Sequence, residues 1–481
     1  MKPIFNRAVI LIFFLLCVQG MTSSVGTWGM EKFDDDDEFV VVKAGLILPA
    51  QGEPVKNGTI VIRNGLIEAV GSNVEYPRNA KIIHAENLVV VPGLVNPCTS
   101  LGHKPFYRSG VHADLKVCDE FELDLEVYTD LLRSGFTTFG LIPPGTGFPG
   151  QALAFVPQGE TREAWTLNES AYILATMSET GREKEAFRQA FETARKEIEK
   201  VEQARKEWEE KQKKAQEEQA KKDAGSPEKE PAPAPDPQKE PDKPGKEVPA
   251  KKEPAKEKPE QGKDTPEKNG EKKAEEEKFV PPPINPPYKP LVDLIQKSQG
   301  VHLLVALNQA SDFIHFKDAT ADLDIEKAYL LRYVARRRSI TTSTDMYNVI
   351  EEFGKQKAQV ILAPVIQTRS QTSNTINLPA AFARAGSVIS FTPVNDDPEE
   401  YAAYLKRISI VVRGGLDPEI ALQAITLNPA RILGLDSRIG SIEKGKDGNL
   451  LFLTGEPFSA LTRIEKVMIR GEVVAEGKTF Q

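Results

Sequence analysis

Between Tyr347 and Thr392 the chain reads YNVIEEFGK (Tyr347–Lys355), VILAPVI (Val360–Ile366), LPAAFARA (Leu378–Ala385) and VISFT (Val388–Thr392). Two helix-forming stretches alternate with two almost wholly apolar runs of strand length. A strand that is apolar on both faces is covered on both faces, which suits a parallel sheet with helices outside it. The same texture extends toward the N-terminus. Leu94–Cys98, Phe136–Ile142 and Val301–Leu307 read as strands, and Leu123–Ser134 as a helix. Ala328–Arg338 reads as a further helix, followed by a strand at Ile340–Thr342. Repeated strand–helix alternation predicts a (β/α)8 barrel ahead of an open doubly wound sheet. No G-x-G-x-x-G follows a strand, which lowers the dinucleotide-binding option.

Both flanks change character. Phe39–Lys43, Leu46–Leu48, Thr59–Arg63, Leu66–Val70 and Leu88–Val91 are short β-rich runs, separated by Gly52, Asn57-Gly58, Asn64-Gly65 and Gly71. Asn-Gly between such runs is a hairpin signal. Short strands and glycine turns return from Ile439 to Val474. The expectation is one small β-sandwich built from both chain ends, 39–92 with 436–476, around a barrel at 93–435.

The chain has 481 residues, 40% apolar and 27% charged, with a formal net charge of −8. That balance argues against a general nucleic-acid binder. Seventeen of the 35 prolines fall between Pro227 and Pro290, in a stretch of Lys, Glu, Pro and Ala too polar to bury a core. Residues 225–290 are therefore expected to be a disordered linker. Residues 182–224 lack Gly and Pro and read as one helix, about 60 Å long at ~1.5 Å per residue. Its apolar stripe (Phe187, Phe191, Ala194, Ile198, Val201, Trp208) ends at Trp208, so the distal half should project into solvent. At the N-terminus, Lys2 and Arg7 precede the apolar run Ala8–Val18, which is short for a membrane span. Residues 1–20 read as a signal peptide, giving a periplasmic or extracellular protein with no span after cleavage; an N-terminal anchor is the alternative.

At Pro92-Gly93-Leu94-Val95-Asn96 the sequence resembles the amidohydrolase superfamily, close to its imidazolonepropionase-like branch. ALQAITLNPARILGL (Ala421–Leu435) is similar to the closing helix of that family, RIGSIEKGKD (Arg438–Asp447) to its return strand, and Lys466–Val474 to its last strand. The resemblance implies a (β/α)8 barrel and metal-dependent hydrolysis of non-peptide C–N bonds. In that chemistry one or two divalent ions turn water into hydroxide and polarise the scissile group.

The ligand positions that the resemblance implies do not hold histidine. The first-strand pair falls on Cys98 and Ser100, the fifth-strand position on Ala306, and the sixth on Thr342. The eighth-strand aspartate maps to Val394, with Asp396 and Asp397 two and three residues beyond. The only histidines are His84, His103, His112, His302 and His315. A tetrahedral zinc site needs three protein ligands, so the expectation is a barrel without a catalytic metal and with no cofactor. Such a protein would bind a small molecule or an active paralogue, as a homo- or hetero-oligomer. Cys98 and Cys118 could pair as a disulfide in an oxidising compartment, and two other readings of the site remain open. One is an active amidohydrolase using Cys98, His103 and Asp396 or Asp397. The other is a relocated zinc at Cys98, His103, His112 and Cys118. The blander readings are two unpaired thiols, solvated or structural histidines, and a Gly-rich loop at Gly145–Gln151 that touches a ligand without being a phosphate loop.

Overall fold

The computed structural model describes residues 37–102, 106–122, 124–177, 181–223, 278–331, 343–368 and 372–477. The predicted signal peptide, most of the predicted linker, His103 and Thr342 lie outside these residues. Among the described residues no helix is long and apolar enough to cross a membrane.

Strands β1 (Phe39–Ile47), β2 (Val55–Arg63), β3 (Leu66–Gly71) and β4 (Lys81–Pro92) open the chain. Positive-φ Asn64 and Gly65 make the turn between β2 and β3, as the Asn-Gly pattern predicts. At Pro92-Gly93 the chain leaves this sheet for β5 (Leu94–Thr99). A Cβ on Gly93 would stand 2.3 Å from Thr137 Oγ1, so the crossing admits only glycine.

After β5 come β6 (Arg108–Val111), β7 (Phe136–Leu141), β8 (Gly145–Gln151), β9 (Leu153–Phe155), β10 (Thr166–Asn168) and β11 (Ile173–Thr176). Then follow β12 (Leu303–Leu307), β13 (Lys327–Leu331), β14 (Gln359–Leu362), the short hairpin β15 (Gln367–Thr368) and β16 (Thr375–Ile376), and β17 (Val388–Phe391). Strands β11, β12, β13, β14 and β17 form parallel ladders in that order, and β5 pairs in parallel with β7. The two groups are linked by a continuous extended run from Gly145 to Phe155, antiparallel to both. It meets β7 through β9 and β11 through β8. Ala152 between them bonds Tyr172 and Ala171.

Two expectations are corrected here. Gly145–Gln151 is a strand and not a ligand loop. Its glycines let it lie against the segment before it: Gly147 has φ 77°, and a Cβ there would stand 2.5 Å from the Gly110 carbonyl. The predicted helix Ala328–Arg338 begins instead as strand β13, and its remainder lies outside the described residues. The helix-forming composition is overridden by the slot between β12 and β14, where alternate residues can be buried on both faces.

That two-faced burial is visible along each strand. Val95, Leu174, Leu304, Ala328, Leu330 and Ile361 pack together in one core, with Ala306 against them. Their neighbours Leu94, Ile173, Leu303, Val305, Tyr329 and Val360 belong to the other core, with the outer helices. This is the pattern of a TIM-barrel-like α/β fold. The ladders do not close on themselves: among the described residues no backbone pairing joins β17 to β5.

Strands β18 (Leu450–Leu453), β19 (Ile464–Ile469) and β20 (Glu472–Glu476) return to the first sheet. They add to β4, giving the order β20-β19-β18-β4-β1-β2-β3. Both chain ends thus build one sheet, chiefly antiparallel, with β1 and β4 parallel. Asp447, nearly fully buried, ties it by accepting from Arg438 Nε at 3.1 Å and Arg470 Nε at 3.4 Å.

Helix Gly181–Asp223 is one element of 43 residues. Phe187, Ala190, Phe191 and Ala194 are buried, with Phe187 and Phe191 ringed around Phe148 at 4.6 and 5.7 Å. Beyond Ile198 the helix leaves the core, and Trp208 meets only Phe279 of the returning chain, at 5.8 Å, among described rings. Of the stretch read as linker, Lys278–Pro290 is described. Ile284 and Tyr288 pack on the core and Pro286–Tyr288 forms a 3-10 turn, so this end is a docked strap.

Candidate functional site

The site is built where β5 and β17 end side by side. Asn96, buried, is the first polar group of β5, and Thr99 lies three residues on. Beyond β17, Thr392 leads through Pro393 and Val394 to Asp396. A short helix, Pro398–Ala402, then carries Tyr401 back over Phe136, with ring centroids 4.9 Å apart.

Asp396 is the hub. Its Oδ1 accepts from Thr99 Oγ1 at 2.7 Å and from the Tyr401 hydroxyl at 3.0 Å. Its Oδ2 accepts from the Ser100 backbone N–H at 2.9 Å and the Ser100 hydroxyl at 2.6 Å. Asn96 Nδ2 donates to the Tyr401 oxygen at 2.8 Å, and Thr392 Oγ1 donates to Asn96 Oδ1 at 3.0 Å. Burial, and secondarily the Asp396 carboxylate, pushes the Tyr401 phenol well above its ordinary value. It therefore stays protonated and acts as a donor.

Cys98 is nearly fully buried beside the cluster. It is 5% exposed and packs in the inner core, with its Sγ 3.7 Å from Thr392 Oγ1. The positions inferred from the resemblance separate accordingly. Ser100 and Asp396 meet, whereas Cys98 is buried. Ala306 lines the inner core without a donor atom. Val394 is half-buried, and the carboxylate facing β5 comes from Asp396 two residues later. Thr342 lies outside the described residues; the strand that pairs with β12 is β13. Asp397 is exposed at the start of the next helix and takes no part in the cluster.

Among the described residues the remaining thiol and histidines do not gather. Cys118 is buried beside Asp119, and burial pushes its thiol up to about 11, so no thiolate is available near neutral pH. Cys98 and Cys118 are not joined in a disulfide. His112 approaches the Ser109 carbonyl at 3.2 Å. His302, at the start of β12, has Nε2 2.7 Å from the Ile432 carbonyl, and burial pushes its pKa down. His84 sits with Glu86 on β4.

The fit to a metal can be judged from these donors. A carboxylate offers about four lone-pair sites, and four protein donors fill them at Asp396. Ser100 is a weak ligand and Ala306 none. Among the described residues no group of three His, Cys, Asp or Glu side chains could hold a metal ion. Among the described residues the donor set does not fit a zinc site; His103, which both alternative readings use, lies outside them.

Sequence reasoning missed Asn96, Thr99, Thr392 and Tyr401. Asp396 carried a signal as the first carboxylate past the eighth strand. Its partners Thr99 and Ser100 lie about 300 residues away along the chain, and nothing local marks them, while Tyr401 follows five residues later.

The fold and the site together define a TIM-barrel-like α/β protein with a flanking sheet. Residues 373–474 match the amidohydrolase family. In fold the chain is similar to an amidohydrolase from Thermotoga maritima, with a TM-score of 0.61 at 18% identity, covering 91% of this chain and 100% of that one. Curated relatives match in part. Adenine deaminase 2 of a Jannaschia species is 34% identical over 73 residues, 15% of this chain and 11% of that protein. Adenine deaminase of Bacillus velezensis is 27% identical over 161 residues, 32% of this chain and 26% of that protein. The chain thus spans about a quarter or less of the length of these relatives; the family match is confined to residues 373–474, and the likeness to the Thermotoga protein is one of fold.

Proposed function

We propose that this protein is an exported amidohydrolase homologue that has lost its catalytic metal centre and acts by binding a small molecule or an active paralogue. The observation that carries the reading is the Asp396 carboxylate, filled by Thr99, Tyr401 and Ser100 where a ligand to metal is wanted. Without a cation, water keeps its high pKa and no hydroxide nucleophile is supplied. Export rests on the charged and apolar pattern of residues 2–18 alone. The competing reading is an active hydrolase on C–N bonds built on Cys98 and His103. Against it stands the burial of Cys98, which leaves the thiol only 5% exposed.

Metal analysis of the purified full chain, together with an ammonia-release assay on adenine, tests the proposal. It expects substoichiometric zinc and no release above the blank. One zinc per chain with metal-dependent release refutes it.

A further inference from the structure

Among the described residues, the polar cluster at the mouth stands where the succession of paired strands stops. Strands β5, β7, the 145–155 run, β11, β12, β13, β14 and β17 follow one another through hydrogen-bonded ladders, and the succession stops between β17 and β5. Every direct link across that gap in this cluster has a side chain at one end or at both. Thr392 Oγ1 reaches Asn96 Oδ1 at 3.0 Å and the Cys98 carbonyl at 3.3 Å. Asp396 then receives Thr99 and both donors of Ser100 from the end of β5. Tyr401, on the far side of Asp396, takes a bond from Asn96 and returns one to the carboxylate.

We propose that this cluster is a clasp that closes the seam between the first and last strands, with Asp396 as the residue on which closure depends. The carboxylate does mechanically what a shared cation would do if ligands came from both strands: it draws donors from each to one centre. Its charge suits the task, because bonds to an ionised acceptor are stronger than neutral ones. The buried members, Asn96, Thr99 and Tyr401, have no water to fall back on if the hub is lost. The inference rests on the reading of a mouth without a metal centre.

Hydrogen exchange by mass spectrometry on the full chain tests it, comparing wild type with Asp396→Asn and Ser100→Ala. Each is measured with zinc chloride and with EDTA. Asn replaces one acceptor oxygen with an NH2 that faces a donor. Amides of β5 and of residues 388–392 should exchange about tenfold faster or more, while β12 and β13 keep their protection. Ser100→Ala, which keeps the backbone donor, should give a smaller change in the same peptides and covers the case in which Asp396→Asn does not fold. Zinc and EDTA should change neither pattern. Unaltered β5 and β17 protection in a folded Asp396→Asn protein overturns the clasp while leaving the proposed function standing. Stoichiometric zinc that protects these strands in wild type and is lost in Asp396→Asn overturns the clasp outright.

Discussion

Replacing Tyr401 by Phe removes one oxygen from a nearly fully buried site and leaves the ring packing on Phe136 in place. Two consequences add. Asn96, fully buried, loses the acceptor at 2.8 Å for its Nδ2; a buried donor left unpaired costs about 1–3 kcal/mol. Asp396 Oδ1 loses the donor at 3.0 Å but keeps Thr99. Because Asp396 is only half-buried, water replaces part of that bond, and the loss is about 1 kcal/mol. The expected destabilisation is about 2–4 kcal/mol, with an unchanged dependence on denaturant. Urea unfolding followed by intrinsic fluorescence measures it as a shift in midpoint at constant slope. A double-mutant cycle with Asn96→Ala isolates the pair: on that background the cost of Tyr401→Phe should fall by about 1 kcal/mol or more. A change below about 0.5 kcal/mol for Tyr401→Phe, or full additivity in the cycle, would falsify the account of the cluster.

Other outcomes follow from the rest of the molecule. Phe187→Ala, at a buried ring against Phe148, should cost about 3–5 kcal/mol, whereas Trp208→Ala on the projecting half should cost less than about 1; equal losses in urea unfolding would contradict the division of the helix. Cys98 and Cys118 should resist iodoacetamide at pH 8 in the folded protein and react in urea, read by peptide mass mapping; rapid modification of native Cys98 would revive the thiol-nucleophile reading. The His302 pKa is lower folded than unfolded, so its neutral form is the native one and stability is lost as pH falls below about 6.5. His302→Gln should flatten that part of the stability profile, and an identical pH slope in the variant would remove His302 from the explanation.

Much of the architecture was legible in local pattern. Asn64-Gly65 marked its hairpin, and the apolar runs at 303–307, 359–362 and 388–391 marked buried strands by composition. Leu378–Ala385, read as a helix, is one, and the structure adds its Asn377 cap and its left-handed stop at Gly386. Two segments misled for opposite reasons. The glycines of 145–151 suggest a loop, yet they are what lets a strand lie close against its neighbour. The sequence around Ala328 is rich in helix formers, and only its neighbours β12 and β14 make it extended.

The residue types at the mouth were set by the sequence alone: no histidine follows His315, so the positions in β17 and the turn beyond it hold none, whatever the register. What that vacancy of imidazole became was decided by tertiary structure. Hydrogen bonds between Asn96, Thr99 and Ser100 on one side and Thr392, Asp396 and Tyr401 on the other span about 300 residues of chain. Such bonds form only once the strands between them have curled far enough to bring the first beside the last. Periodicity and composition report which face of an element is buried; they carry no information about which distant donor will meet a given carboxylate.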